Sequence, residues 1–365
     1  MKRLVIKIGS NIIASAHEGL DTAVIDRIAG DVSTIASEDR DVVIVSSGAI
    51  AAGMKKLGLK SKPSDIRFKQ AAAAVGQSSL MWAYERAFAE FGKKVAQVLL
   101  TREDFADRKK YLNAKNTLMT LLSFGIIPVI NENDTVTTDE IRFGDNDNLA
   151  SLVAISVEAD HLFILSDVDG LHEDDPRNNP HAKLISSVDA ITPEIEQLAG
   201  ATGSAVGTGG MLSKVKAAKR ATAHGIAVNI MNGKKPGLLI SAVKGQHSGT
   251  FFRPCQDRLS QKKGWIAYSS RSKGSITLDD GAVKAIGEGG KSLLASGIIG
   301  VEGNFEVGDS VYCITAKGRR IAKGLTNYSA DDLRKIQGRK TADIEAVLGF
   351  KYADEAIHRD NLVII

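Results

Sequence analysis

Short apolar runs alternate with stretches of helical period through the first two thirds of the chain, and this alternation does most to limit the possible folds. Residues 4–8, 42–45, 95–100, 126–130 and 161–165 read as buried strands. Between the first two, Val24, Ile25, Ile28, Val32, Ile35 and Ala36 fall on one helical face behind Asp21 or Thr22 as N-cap. An alanine-rich helix is expected from about residue 64 through 74, with further helices at 78–91, 111–124 and from 149 onward. Strands with this pattern, joined by helices, predict an α/β fold: a mainly parallel central sheet covered by helices on both faces.

In such sheets ligands bind at the carboxyl ends of the strands, and there the chain concentrates its polar residues. Lys7 lies inside the first apolar run just before Gly9, and a buried ammonium without a partner is costly. It either points outward at the strand end, its stem packed on apolar surface, or meets an anion. Ser46-Ser47-Gly48-Ala49 ends the second run and opens a helix. Its hydroxyls and free N–H groups suit an anion, although serine as a plain N-cap is the ordinary alternative.

Residues 131–148 carry six carboxylates against one cation, Arg142, in a chain whose formal net charge is +4. A charge-rich run is usually a solvated face. Here, however, Asn131-Glu132-Asn133-Asp134 follows a buried strand, and Gly144-Asp145-Asn146-Asp147-Asn148 runs into a helical pattern. Both placements favour a ligand site. Asp167 and Asp169 close the 161–165 run as a turn, a nucleotide edge or a metal contact. The glycine-rich residues 203–210 lead into Met211-Leu212-Ser213-Lys214, the start of a helix. They match neither a Walker loop nor the dinucleotide fingerprint, but bare amides at a helix start attract phosphate whatever the signature.

At 365 residues two domains are expected. The pattern breaks in a polar, basic segment at 254–273. Beyond it, apolar runs at 275–278, 297–301 and 308–314 between glycine turns suggest a small, mostly β, barrel-like module, with short helices near 281–286 and 342–348. Residues 1–7 show no signal-peptide pattern and no segment is long and apolar enough for a membrane span. Cys255 and Cys313 form no metal-spaced or redox pair, so a reducing, cytoplasmic setting is expected.

Taken together, Lys7-Ile8-Gly9-Ser10, Ser46–Ile50, Asn131–Asp134, Gly144–Leu149 and Gly207–Lys214 resemble the bacterial glutamate 5-kinases, which belong to the amino acid kinase family. The resemblance covers essentially the whole chain. It implies a three-layer α/β/α kinase domain at 1–253, a linker at 254–273 and a PUA domain at 274–365. The implied reaction is ATP-dependent phosphorylation of the glutamate side-chain carboxylate, the first step of proline biosynthesis, with proline as feedback inhibitor.

Carried over by position, Lys7, Ser166, Asp167, Thr208, Gly209, Gly210, Met211, Leu212, Ser213 and Lys214 should bind ATP, with magnesium on its phosphates and no metal ligand assigned on the protein. Ser47, Asp134 and Asn146 should hold L-glutamate, and Asp147 should orient the two lysines; Lys7, Lys214 and Asp147 form the catalytic set. Residues 135–143 would form a flap, with no role assigned to Asp139, Glu140 or Asp145. A homo-oligomer (dimer or tetramer) and coupling to glutamyl phosphate reductase are also implied. One departure is His172, where family members often have tyrosine.

Two rival readings remain at this level. One is another kinase of the same fold, acting on acetylglutamate, uridylate or carbamate. The other is an RNA-binding protein, because PUA domains often bind RNA. Against it, residues 274–365 hold 12 Lys and Arg against 13 Asp and Glu, with Lys317, Arg319, Arg320 and Lys323 as a local basic patch.

Overall fold

The first strand, β1 (Arg3–Ile8), is buried along all but its first residue, and the rest of the first unit is built around it. The computed structural model describes residues 1–15, 19–59, 61, 63–136, 146–176, 178–179, 181–201, 210–246, 248–255, 263, 266–267, 270–287 and 290–365. The chain forms two compact units: Met1–Asp104 with Tyr111–Arg258, and Phe105–Lys110 with Leu259–Ile365.

In the first unit, α1 (Ser10–Ile13) leads into a two-residue ladder of β2 (Ala14–Ser15) and β3 (Gly19–Leu20). There follow α2 (Thr22–Ala36), β4 (Asp41–Ser46), α3 (Ala49–Lys56), α4 (Ile66–Ala89), β5 (Val95–Leu100), α5 (Arg102–Ala106), α6 (Arg108–Ser123) and β6 (Ile127–Glu132), the end of α5 and the start of α6 being the stretch that groups with the second unit. The second half runs α7 (Asn146–Ser156), β7 (His161–Ser166), β8 (Ser187–Val188), α8 (Pro193–Ala201), α9 (Met211–Thr222), β9 (Ala227–Asn232), α10 (Leu238–Val243) and β10 (Thr250–Phe252).

The main sheet has the order β5-β6-β4-β1-β7-β9-β10-β8. β5, β6, β4, β1, β7 and β9 are parallel, and β10 turns antiparallel to β9. The chain builds outward from β1 on one side and then crosses to its other side at β7. That reversal is a topological switch point, where ligand crevices form. In register, Ile8 stands beside Ser46 and Leu165, Leu100 beside Glu132, and Ser166 beside Asn232, so the six carboxyl ends line up. Leu4, Ile6, Ile44, Ile25, Val32, Tyr84 and Phe88 share one core. Val5, Val43 and Val45 are equally inaccessible, so the strands are buried on both faces, as the uniform apolar runs imply.

Two boundaries differ from the sequence pattern, each for a physical reason. The helices expected at 64–74 and 78–91 are one continuous α4, with Gly76 in its middle. A Cβ at Gly76 would sit 1.8 Å from Ala49 O, and one at Gly53 1.7 Å from Ala72 O. The glycines therefore mark where α3 and α4 press together rather than a break. β6 runs on through Asn131 and Glu132 because these pair with Leu99 and Leu100 of β5.

The second unit is a five-stranded sheet: β11 (Ser272–Leu278), β12 (Ile298–Gly303), β13 (Ser310–Thr315), β14 (Arg320–Leu325) and β15 (Leu362–Ile364), ordered β12-β11-β13-β14-β15. Helices at Asp280–Gly287 and Ile344–Leu348 match expectation, and a third at Ala330–Ile336 has no counterpart in it. Ile276, Phe305, Val311, Tyr328, Leu333 and Ile357 form its core. The basic cluster is smaller than the sequence implies. Lys323 is only 4% exposed and donates to Ser270 O, and Arg320 lies over the Tyr312 ring at 4.2 Å.

Candidate active site

Two consecutive residues, Asn146 and Asp147, open α7 and are 4% and 1% exposed. Successive residues on a helix point about 100° apart, so the pair faces two directions. Asp147 meets charge and Asn146 meets amides.

Asp147 Oδ1 lies 2.6 Å from Lys7 Nζ of β1, and its Oδ2 3.1 Å from Lys214 Nζ in the first turns of α9. Ser213 Oγ donates to Oδ2 at 2.6 Å. Both lysines are 5% exposed. Lys7 thus meets an anion that the protein itself supplies. Burial pushes the Asp147 carboxyl's pKa upward, but the Lys7 and Lys214 ammonium groups, with the hydrogen bonds from Lys7 and Ser213, outweigh burial and hold it well below the usual carboxylate range. Asp147 therefore stays ionised, and two fixed cations face one fixed anion at the switch point.

On the other side, Asn146 Nδ2 donates to Ser47 Oγ at 2.8 Å and to Asn131 Oδ1 at 3.1 Å. Asn131 Nδ2 donates in turn to Gln77 Oε1 of α4 at 2.8 Å. Ser47 is placed by the turn after β4, where Gly48 takes φ +103°, a left-handed conformation that glycine accommodates without strain. Its neighbour Ser46 faces the core instead, its hydroxyl 2.8 Å from Tyr84 OH. Asp134 is buried in the turn after β6, at 7% exposure.

Near the end of β7, Ser166 is 4% exposed and donates to Asp167 Oδ1 at 3.2 Å, while Asn11 Nδ2 holds Asp167 Oδ2 at 3.0 Å. Burial raises the Asp167 pKa, but the hydrogen bonds from Asn11, its own backbone and Ser166, with the Lys214 charge, leave it lowered. Asp169 is held by Lys235 at 2.8 Å and by Asn232 at 3.0 Å. These polar ends continue the line of the two lysines across β7 and β9.

A sequence model described as the amino acid kinase family matches residues 2–232, and one for the PUA domain matches 274–348. The glutamate 5-kinase of Geobacter sulfurreducens is 52% identical over 365 residues, spanning 100% of this chain and 98% of the relative. That of Syntrophotalea carbinolica is 51% identical over 364 residues, spanning 100% and 97%, and that of Myxococcus xanthus 51%, spanning 100% and 96%. The chain belongs to the glutamate 5-kinase branch of the amino acid kinase family.

Of the positions expected to matter in such a kinase, Lys7, Asp147, Ser213 and Lys214 form one ion-paired cluster, and Ser47 joins Asn146 directly. Gly210 is the N-cap of α9, and Met211 and Leu212 begin its first turn. Thr208, Gly209, Asp139, Glu140, Asp145 and most of the expected flap lie outside the described residues. Gln77 and Asn11 are additions that sequence reasoning missed. The signal for Gln77 was faint: one of two glutamines on an alanine-rich helix, placed directly after Gly76.

Kinases of this family use ATP, and magnesium ordinarily accompanies its phosphates. Among the described residues, no three His, Cys, Asp or Glu side chains are grouped to hold a metal ion. Asp147, the best-placed carboxylate, is already engaged by Lys7, Lys214 and Ser213.

Proposed function

We propose that the chain transfers the γ-phosphoryl group of ATP to the side-chain carboxylate of L-glutamate, forming L-glutamyl 5-phosphate and ADP. The observation that carries this reading is the division at the start of α7, with amides on the Asn146 side and paired lysines on the Asp147 side. An amino acid and a polyphosphate meeting end to end need such a division. The acceptor end must be held by neutral and acidic groups that recognise an α-ammonium, and the transfer end by cations.

The glutamate side chain has an unperturbed pKa of about 4.3, so near neutrality it is already the nucleophile and no general base is required. A carboxylate oxygen forms the new bond to the γ-phosphorus. The bond from phosphorus to the β,γ-bridging oxygen breaks, and ADP leaves with that electron pair. What remains for the protein is alignment of two anions and neutralisation of charge on the transferring group.

In this reading Lys7 and Lys214 supply fixed positive charge, and Asp147 fixes their positions and keeps them ionised. Ser166, Asp167 and residues 208–214 hold the nucleotide, which carries magnesium on its phosphates. Ser47 and Asn146 bind glutamate through hydrogen bonds, and Asp134 faces its α-ammonium. Asn146 Oδ1 is buried without a hydrogen-bond partner among the described residues, an acceptor suited to the same ammonium.

The wider reading follows from the same family membership. The reaction opens proline biosynthesis in the cytoplasm, and proline inhibits by using the ammonium and α-carboxylate contacts without a side chain to phosphorylate. The kinase domain spans 1–253, the linker 254–273 and the PUA domain 274–365. The enzyme works as a homo-oligomer, dimer or tetramer, and hands its labile acyl phosphate to glutamyl phosphate reductase.

The direct test is incubation with ATP, magnesium, hydroxylamine and single amino acids. Glutamate should give the γ-hydroxamate, and absence of product with glutamate would overturn the reading.

A further inference from the structure

We infer that Gln77 is a positioning residue for the acceptor substrate, acting through Asn131 and Asn146 to fix the Ser47 hydroxyl as a hydrogen-bond donor. The inference rests on the glutamate reading above and adds to it a residue on α4.

An amide side chain can usually be turned over, exchanging its oxygen and nitrogen, and the polarity of an amide chain is then ambiguous. Here one link removes the ambiguity. The backbone N–H of Glu132 lies 2.9 Å from the Asn131 side chain. A backbone N–H can only donate, so the atom it meets is the Asn131 oxygen.

Everything else follows from that point. The Asn146 atom 3.1 Å from the same oxygen must be its nitrogen, and that nitrogen also donates to Ser47 Oγ at 2.8 Å. Asn131 then has its own nitrogen on the far side, and Gln77 Oε1 accepts from it at 2.8 Å. The Ser47 oxygen thus accepts from Asn146, and its single proton is directed elsewhere. A serine held in that state is a donor matched to a carboxylate oxygen.

Gln77 is the far anchor of this relay. It follows Gly76, whose backbone lies against α3: an added Cβ would stand 1.8 Å from Ala49 O and 2.4 Å from Gly53 N. The helix that carries Gln77 is therefore pressed onto the helix that begins just after Ser47, and a rigid crossing sets the distance between the relay's two ends. Without the Gln77 acceptor, a buried Asn131 N–H loses its partner. Asn131 is 2% exposed, so water does not readily replace it, and the side chain is free to turn and release Asn146.

The test compares Gln77→Met, which keeps the length of the side chain without an acceptor, with Gln77→Glu, which keeps the acceptor oxygen. Both are measured alone and in a Ser47→Ala background, by the glutamate-dependent hydroxamate assay with thermal melts as a folding check. Gln77→Met should raise the glutamate KM about tenfold, the worth of one neutral hydrogen bond, with ATP KM changed less than about twofold. Gln77→Glu should recover most of that loss. In the Ser47→Ala background, Gln77→Met should add clearly less than it does alone, because the Ser47 branch of its route to the substrate is gone and only the Asn146 branch remains.

Fully additive effects of Gln77→Met and Ser47→Ala would overturn the relay. So would equal shifts in glutamate and ATP KM, or a Gln77→Glu variant worse than Gln77→Met; the last result would make the Gln77 nitrogen the important atom. Wild type inactive on glutamate would instead sink the reading on which the relay rests. Wild type active with additive variants would sink the relay alone.

Discussion

The two flanks of the α7 N-terminus are built from opposite materials. On the Asp147 side, one carboxylate and two ammonium groups are buried together and each needs the others. On the Asn146 side, neutral amides and a hydroxyl are linked in series, and the polarity of the chain is set by a single backbone N–H. A buried charge cluster provides field strength and tolerates little change in charge. A neutral relay provides orientation, and its worth lies in which atom donates. In the proposed function, residues one apart in sequence thus serve transfer on one side and recognition on the other.

The largest effect should come from the charged flank. Lys214→Ala removes a fixed cation from the transfer end, and kcat should fall about 10²–10³-fold while the glutamate KM moves only a few-fold. Steady-state kinetics in both substrates would show it, and an equal loss in KM would break the contrast between the flanks.

Asp147→Asn tests the same cluster through stability. It removes the carboxylate that both buried ammonium groups meet and should cost about 3–5 kcal/mol, measured by urea denaturation. ATP should restore more stability to the variant than to the wild type, because phosphate can replace the lost anion. The pH dependence sharpens this. The Asp147 pKa is lowered in the folded state, so the carboxyl contributes fully above its unfolded value, near 3.9. That contribution is lost as the pH falls below this point toward the lower folded value. The variant should lack this part of the acid-induced loss; an unchanged acid profile would show that the ion pairs add little.

On the neutral flank, Asp134→Ala should raise the glutamate KM about 10- to 100-fold, the worth of one charged hydrogen bond, with a smaller change in kcat. The smallest effect is expected at Ser46→Ala. Its hydroxyl faces Tyr84 in the core, so the variant should lose about 1 kcal/mol of stability at unchanged glutamate KM. A raised KM would bring Ser46 into the site beside Ser47.

The charged flank was partly legible in the sequence because charge in an apolar run demands a partner. The pattern left open whether Lys7 inside β1 points outward or meets an anion, and only the family resemblance named Asp147 as its partner. The alternating runs specified a parallel sheet, since strands buried on both faces leave little other choice. The relay was not legible. Gln77 lies 54 positions from Asn131, and what joins them is the depth at which α4 meets α3, a property of two glycines whose local signal is a helix break. Lys323 misled for a related reason: sequence counts its charge as surface, whereas the fold buries its ammonium against a backbone carbonyl.

The most direct test of the two flanks is a side-by-side measurement of kcat and glutamate KM for Asn146→Ala and Asp147→Asn. Asn146→Ala should raise KM about tenfold or more with kcat lowered much less. Asp147→Asn should do the reverse, lowering kcat by far the larger factor. Two variants that shift KM and kcat in the same proportion would contradict the contrast between the flanks.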